Sequence, residues 1–493
     1  MKKLLLINLL LAFAVISYGQ DLSFADPLGE HMVIQQNKPF KVWGTAKSGT
    51  SVEISADWLS SSVTVKADED GQFIGIITVP AIKKGDFKNH WLSIGSEGQT
   101  KKLEDVLIGD VWICSGQSNM QFGLHEVPNA REELAKASHP QVRLFSAGLN
   151  FSNDPLMNIS GEWKVCDSVS AKKFSAVAYF FGTELQKDLN IPVGIVFTGI
   201  GASAAQAYVP REVLAADPVL NKAYLQPYLE SDKSKEKIDG GFSFEKVTRP
   251  FLLYNAVIHP FKNLSISGFC WYQGESNRDD RSQYTQLMYK MISSWRDAFQ
   301  QGELPFYFVQ VAPYYYDIED PTMADYAFFR EAQEAITDMG NTEMVITMDV
   351  GEAKDLHPKN KKPIGVRLEK TALNRYYGQL NVAYQGPHFE SAEFNKSQAI
   401  VTFQPGTVTG GLKTNDGAAP KFFEVAGEDQ VFHPAHAQIS GNQIIVSSKE
   451  VKKPVAVRYA FTNYPVTNLE NGAGFPAVPF RSDNWPEPPV KKK

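Results

Sequence analysis

The sequence predicts an α/β domain built on a parallel sheet and flanked by β-rich domains at both ends. Between residues 108 and 386, short apolar runs alternate with longer amphipathic stretches, the pattern of strands joined by crossover helices. From about Asp21 to Leu107, short alternating runs recur at roughly ten-residue spacing between Gly and Asp turns, the pattern of a β-sandwich. From His388 onward the strand-like alternation returns. The expected division is therefore 20–107, 108–386 and 387–493, preceded by a segment 1–19 of a different kind.

That first segment has Lys2 and Lys3, an apolar run from Leu4 to Ile16, and the small residues Ser17 and Gly19. It reads as a secretory signal peptide cleaved near Gly19, so the expected location is periplasmic or extracellular. No later stretch is apolar enough to span a bilayer. In the N-terminal region the strands are expected at Phe40-Val42-Gly44, Val52-Ile54, Val63-Val65, Phe73-Gly75 and Trp91-Ser93. The central region offers five strand candidates: Asp110–Cys114, Val193–Thr198, Gly268–Tyr272, Phe306–Val311 and Met344–Asp349. Its clearest helix carries Tyr284, Leu287, Met288, Met291, Ile292 and Trp295 on one face, a stripe that must be buried. A second helix is expected over about Ala176 to Leu189, and a third begins at Pro363, where proline suits the first turn. Near the C-terminus, Val455, Val457, Tyr459 and Phe461 alternate with Ala456, Arg458 and Ala460 as in a half-buried strand, and Trp485 to Lys493 reads as a solvated end.

The charge balance of 49 Lys+Arg against 55 Asp+Glu gives a net charge of -6, so no global basic field is available for nucleic acid or an anionic membrane. The 3 cysteines, Cys114, Cys166 and Cys270, form at most one bridge and lack metal-like spacing; buried free thiols are expected. No His-Glu-x-x-His pattern or clustered carboxylate set suggests a metal.

The chemistry is expected just beyond the carboxyl ends of the parallel strands, where ligands bind in open sheets. Val111-Trp112-Ile113-Cys114-Ser115-Gly116-Gln117-Ser118 is a strand that breaks at Gly116 and presents Ser118, either a helix cap or a nucleophile if a base stands nearby. Two further glycine-marked turns, Thr198-Gly199-Ile200-Gly201 and Tyr272-Gln273-Gly274-Glu275-Ser276-Asn277, can supply the Gly201 N–H and the Gln273 amide to an oxyanion. Each also has a plain packing role. His357, on the loop after the last strand, can take a proton from Ser118, with Asp355 holding the imidazole. Gly199-x-Gly201-x-x-Ala204 approaches a dinucleotide fingerprint, but no strand ending in an acidic residue follows it. His433 and His436 lie in the β-rich tail and read as structural.

Cys114-Ser115-Gly116-Gln117-Ser118-Asn119-Met120, Trp271-Tyr272-Gln273-Gly274-Glu275-Ser276-Asn277 and Asp355-Leu356-His357-Pro358 together resemble the bacterial sialate O-acetylesterase family of SGNH hydrolases. The resemblance extends over nearly the whole chain after the leader, from Gly29-Glu30-His31-Met32 to Val455-Ala456-Val457-Arg458. It implies a flavodoxin-like three-layer catalytic domain, Ser118 as nucleophile and His357 as base. The oxyanion hole would comprise the Ser118 N–H, Gly201 and Gln273, with no metal or organic cofactor. Relatives carry Ser-Trp-Gly-Gly where this chain has Gly199-Ile200-Gly201-Ala202. SGNH enzymes place the acid three residues before the histidine, where Lys354 stands here and Asp355 lies two before. The imidazole is then oriented by Asp355 or, in a Ser-His dyad, by a backbone carbonyl.

The resulting expectation is a secreted serine esterase that removes O-acetyl groups from carbohydrate through an acetyl-enzyme. O-acetylated sialic acid is the leading substrate, acetylxylan the rival, and a non-catalytic carbohydrate-binding protein the alternative of another class. If the substrate is a sialic acid, Arg330 in Phe328-Phe329-Arg330-Glu331 is the candidate cation for its carboxylate, the competing role being an ion pair with Glu331 or Glu334.

Overall fold

The computed structural model describes residues 21–315, 320 and 322–489; the expected signal peptide, 1–19, lies outside the described residues. The strands of the central sheet, in chain order, are β1 Gln99–Gly116, β2 Ser138–Ser146, β3 Trp163–Asp167, β4 Val193–Phe197, β5 Gly268–Tyr272, β6 Phe306–Val309 and β7 Thr342–Val345. They lie side by side in the order β3-β2-β4-β1-β5-β6-β7. The helices that matter for the site are α1 Ser118–Gln121, α2 Ala176–Leu189, α3 Ser282–Phe299, α4 Asp325–Glu334 and α5 Lys362–Arg375.

From β2 to β7 the neighbours are parallel, whereas β3 runs antiparallel to β2. The expected parallel sheet is thus a mixed one. The cause is the connection: the chain returns from β2 to β3 through residues 147–162 without a crossover helix, which only an antiparallel neighbour permits. The irregularity between Val165 and Cys166 falls on this edge strand, where bulges commonly end pairing.

The sheet is covered on both faces. On one face Val177, Phe181 and Leu185 of α2 join Ile364 and Leu368 of α5 against Trp112, Cys114, Ile195 and Tyr307. Ser175 caps α2 by accepting from the Ala178 N–H at 3.1 Å, and Pro363 sits in the first turn of α5. On the other face the six apolar residues predicted for α3, Tyr284 to Trp295, are all buried and pack with Phe269, Trp271, Phe306 and Phe308. A fully buried side chain such as Leu287 contributes about 1.5–3 kcal/mol by leaving water. Cys114, Cys166 and Cys270 are free and buried, as expected.

β1 is 18 residues long. Its first part pairs antiparallel with His90–Ser96, its middle accepts Val33–Gln35 as a parallel neighbour at Leu107–Gly109, and its end is the central strand of the main sheet. The division expected at 107/108 therefore falls inside a strand. Before it, Phe40, Val42, Phe73 and Ile77 of one sheet share a core with Val52, Ile54, Leu92 and Ile94 of another. After the central region, two four-stranded antiparallel sheets and a two-stranded pair follow. The tail is exposed over Pro486–Pro489, as expected of a solvated end, yet it is tethered: Arg281, 6% exposed, donates to Glu487 Oε2 at 3.1 Å and to Pro488 O at 2.7 Å. A buried guanidinium has five N–H groups to satisfy, and the tail supplies acceptors.

Candidate active site

β1 and β5 converge at their carboxyl ends, and this closeness creates the nucleophile turn. Gly116 has φ 139, and a Cβ there would lie 2.2 Å from Tyr272 O, so only glycine fits. The Gln117 N–H donates to Tyr272 O at 3.0 Å, and Gln117 Oε1 accepts from the Gly274 and Ser276 N–H groups at 3.3 Å each. The turn then rises into α1 and presents Ser118, half-buried, as its first residue.

His357 arrives from the loop after β7, whose start is anchored by the Arg367 fork on Asp349, at 2.7 and 2.6 Å. His357 Nε2 and Ser118 Oγ are 2.8 Å apart across 239 residues of sequence. With Nδ1 protonated, Nε2 accepts from the hydroxyl, the geometry of a serine activated by an imidazole base. Burial holds the imidazole below its ordinary pKa; nearby Lys361 adds to this, while Asp355 and Glu126 oppose it. The imidazole accordingly stays neutral, and able to accept a proton, into more acid solution than a free histidine.

Asp355 is near but not bonded to the ring. Its Oδ1 accepts from the His357 backbone N–H at 2.9 Å and stands 3.9 Å from Nδ1, beyond hydrogen-bond reach. It caps the loop. We expect Asp355→Ala to lower kcat less than about tenfold, because the large losses on removing a triad acid come from a carboxylate bonded to the ring. A loss of about a thousandfold in steady-state assays would show that Asp355 closes onto Nδ1 during turnover.

Gly201, on the turn after β4, lies close to Ser118. Its N–H donates at 2.7 Å to Gln121 Oε1, and a Cβ on Gly201 would lie 3.7 Å from Ser118 Cβ. The Gly201 N–H is thus already paired with the Gln121 side chain. Gln273 does not take the expected place. It is fully buried; its amide nitrogen donates to Ser203 O at 3.2 Å and Asn277 Oδ1 at 2.8 Å, and its Oε1 accepts from Tyr284 at 3.0 Å. Both amide hydrogens are committed to ordering the turn after β5, the packing role open to it from the start.

Arg330 is not a surface cation either. It is 1% exposed on α4 and donates to the carbonyls of Thr462 and Asn463, tying the helix to the C-terminal region. Glu331 pairs instead with Arg481 at 2.8 Å. The apolar neighbours Phe328 and Phe329 carried the sign of this burial.

A set that sequence reasoning missed lies beneath the pair. Asn119, next to the nucleophile, donates to Glu275 Oε1 at 2.5 Å and to Leu356 O at 3.1 Å, and its Oδ1 accepts from Lys361 Nζ at 2.5 Å. Asn119 and Lys361 are fully buried and Glu275 is 3% exposed. Beside the site, a groove of about 1020 Å³ begins at Gln121 and Gly199 and extends past Leu149 to Lys172 and Lys173. Lys164, also in the groove, pairs with Glu162 at 2.7 Å. No ion pair engages Lys172 or Lys173 among the described residues.

A family model described as carbohydrate esterase, sialic acid-specific acetylesterase, matches residues 108–374. A sialate O-acetylesterase of Mus musculus is 27% identical over 513 residues, covering 93% of each chain. One from Homo sapiens is 28% identical over 423 residues, covering 78% of this chain and 76% of the relative. The crystal structure of a carbohydrate acetylesterase from Xanthomonas citri superimposes with a TM-score of 0.83 at 32% identity, covering 94% of this chain and all of that one.

Proposed function

The chain belongs to the sialic acid-specific acetylesterase family of carbohydrate esterases, and from that premise we propose that it deacetylates an O-acetylated sialic acid through Ser118 and His357. The observation that carries the mechanism is the 2.8 Å contact between Ser118 Oγ and His357 Nε2 at the mouth of the parallel strands. His357 takes the hydroxyl proton as Oγ attacks the acetyl carbonyl carbon. The carbonyl oxygen becomes an oxyanion, which displaces Gln121 Oε1 and accepts from the Gly201 and Ser118 N–H groups. Collapse breaks the bond to the sugar oxygen, which leaves with the proton from His357 and leaves acetate esterified to Ser118. Water, deprotonated by His357, hydrolyses that ester. The sheet covered on both faces and the placement of these residues fit an SGNH-type hydrolase, and residues 1–19, whose sequence reads as a signal peptide, favour export.

The groove supports an acidic sugar over a neutral one. With Arg330 committed to the interior, Lys172 and Lys173 are exposed cations with no ion-pair partner among the described residues, in a groove that begins at Gln121 and Gly199 and also holds Glu162 and Asp167, and a sialic acid brings a carboxylate. We expect Lys172→Ala/Lys173→Ala to raise KM for an O-acetylated sialoside about fivefold, as loss of one exposed charge contact of about 1 kcal/mol would. KM for p-nitrophenyl acetate should not change. Acetate release from O-acetylated sialosides and from acetylxylan, compared at equal enzyme, tests the substrate: faster release from acetylxylan, indifferent to the lysines, would replace this reading with the polysaccharide one.

A further inference from the structure

The reaction uses Ser118, His357 and Gly201, yet the most deeply buried charged groups nearby are Lys361 and Glu275, which touch neither the nucleophile nor the groove. A lysine ammonium is almost never fully buried without reason, because removing it from water is costly. Lys361 is 0% exposed, and its Nζ lies 4.8 Å from the centre of the Phe122 ring and 5.6 Å from that of Tyr272. Its hydrogen bond goes to Asn119, and Asn119 in turn holds Leu356 O. Asn119 follows the nucleophile and Leu356 precedes the base. The two halves of the catalytic pair, 239 residues apart, are therefore joined a second time underneath, through one amide fixed by Lys361 on its oxygen and by Glu275 on its nitrogen.

Resting on the reading of His357 as the base, we propose that Lys361 is a positioning residue: through Asn119 it holds the His357 loop in register with Ser118. The groups facing this site are few. Around Lys361 stand the carboxylates of Glu275, Asp355, Glu352 and Glu126; around His357 stand Lys361, Asp355 and Glu126; Lys359 Nζ is 3.9 Å from Asp355. Burial outweighs the four carboxylates and lowers Lys361 to about 7, while burial raises Glu275. The sign is favourable to the reaction. Lys361 takes up its proton as pH falls through about 7, in the range where an ordinary imidazole would be protonated, and a second positive charge on His357 then becomes more costly. Burial first, and the neighbouring cation after it, keep the base form into acid solution.

The test is steady-state kinetics on p-nitrophenyl acetate across pH with Lys361→Met, Lys361→Gln and Lys361→Met/Glu275→Gln. The double variant leaves no unpaired buried charge and guards against a single variant that fails to fold. In Lys361→Met we expect kcat to fall about tenfold to a hundredfold, the cost of a misplaced catalytic group, with KM nearly unchanged. Lys361→Gln, which keeps a donor for Asn119, should recover part of kcat. In all three the acid limb of kcat/KM should move to higher pH by roughly half a unit or more, because the cation opposing His357 protonation is gone. A folded double variant with the wild-type acid limb and kcat overturns the proposal, and a reduced kcat on an unmoved limb reduces Lys361 to packing. Ser118→Ala run alongside keeps the readings separate: if it retains turnover, the serine mechanism fails, whereas an inactive Ser118→Ala with silent Lys361 variants removes only this proposal.

Discussion

Ser118→Ala should lower kcat for acetyl esters by at least about a thousandfold, with the circular dichroism spectrum unchanged. In the proposed mechanism Oγ forms the acetyl bond, and the alanine leaves His357 with no hydroxyl to deprotonate. The substitution removes one oxygen from a half-buried position, so the turn held by Gly116 and Gln117 should persist. Some rate above the uncatalysed one should remain, since the Gly201 N–H and the groove still bind and polarise the ester. Wild-type turnover in a folded Ser118→Ala, measured by acetate release, would end the serine mechanism.

His357→Ala should be about as damaging, at roughly a thousandfold or more in kcat, because a neutral serine hydroxyl is a weak nucleophile without a base. The two losses should not add: Ser118→Ala/His357→Ala is expected to be no worse than either single variant, as for groups that act in one step. The pH profile gives a separate check. A base must be unprotonated, and burial with Lys361 holds His357 below the ordinary imidazole range, so kcat/KM in the wild type should rise with pH and level off at a pH lower than a free histidine would set. In His357→Ala the residual rate should lose that limb. A limb that survives in the variant would assign the titration to another group.

What could be read from the sequence was what periodicity and turn chemistry encode locally. The stripe from Tyr284 to Trp295 repeats every three or four residues, and the Ser118, Gly201 and His357 turns each follow an apolar run, so strand-end placement brought them together. The β2–β3 pair was missed because Ser138-His139-Pro140-Gln141 opens β2 with polar residues, and its one inward charge, Arg143, is neutralised by Asp105 from β1 at 2.7 Å, a contact invisible along the chain. Gln273 and Arg330 were misread for a related reason. A polar side chain in a turn or on an amphipathic helix looks the same in sequence whether it faces a ligand or a buried carbonyl, and only the fold shows Ser203 O or Thr462 O waiting for it. Lys361 gave one faint signal, its position four residues beyond His357, but nothing local distinguishes a buried lysine from a solvated one.

The length of β1 bears on how far this architecture is modular. A strand that serves the outer sandwich at its start and carries the nucleophile turn at its end offers no linker at which one unit could be exchanged for another. A chain beginning at 108 would lack Val33–Gln35, which pairs with Leu107–Gly109, and would leave Ile108 and Gly109 at the root of the central strand without that partner. Any shift of register in the sandwich would be transmitted along the same backbone to Gly116, whose fit against Tyr272 tolerates no added atom. The front region is thus better regarded as the abutment from which the central strand is sprung than as an appended module.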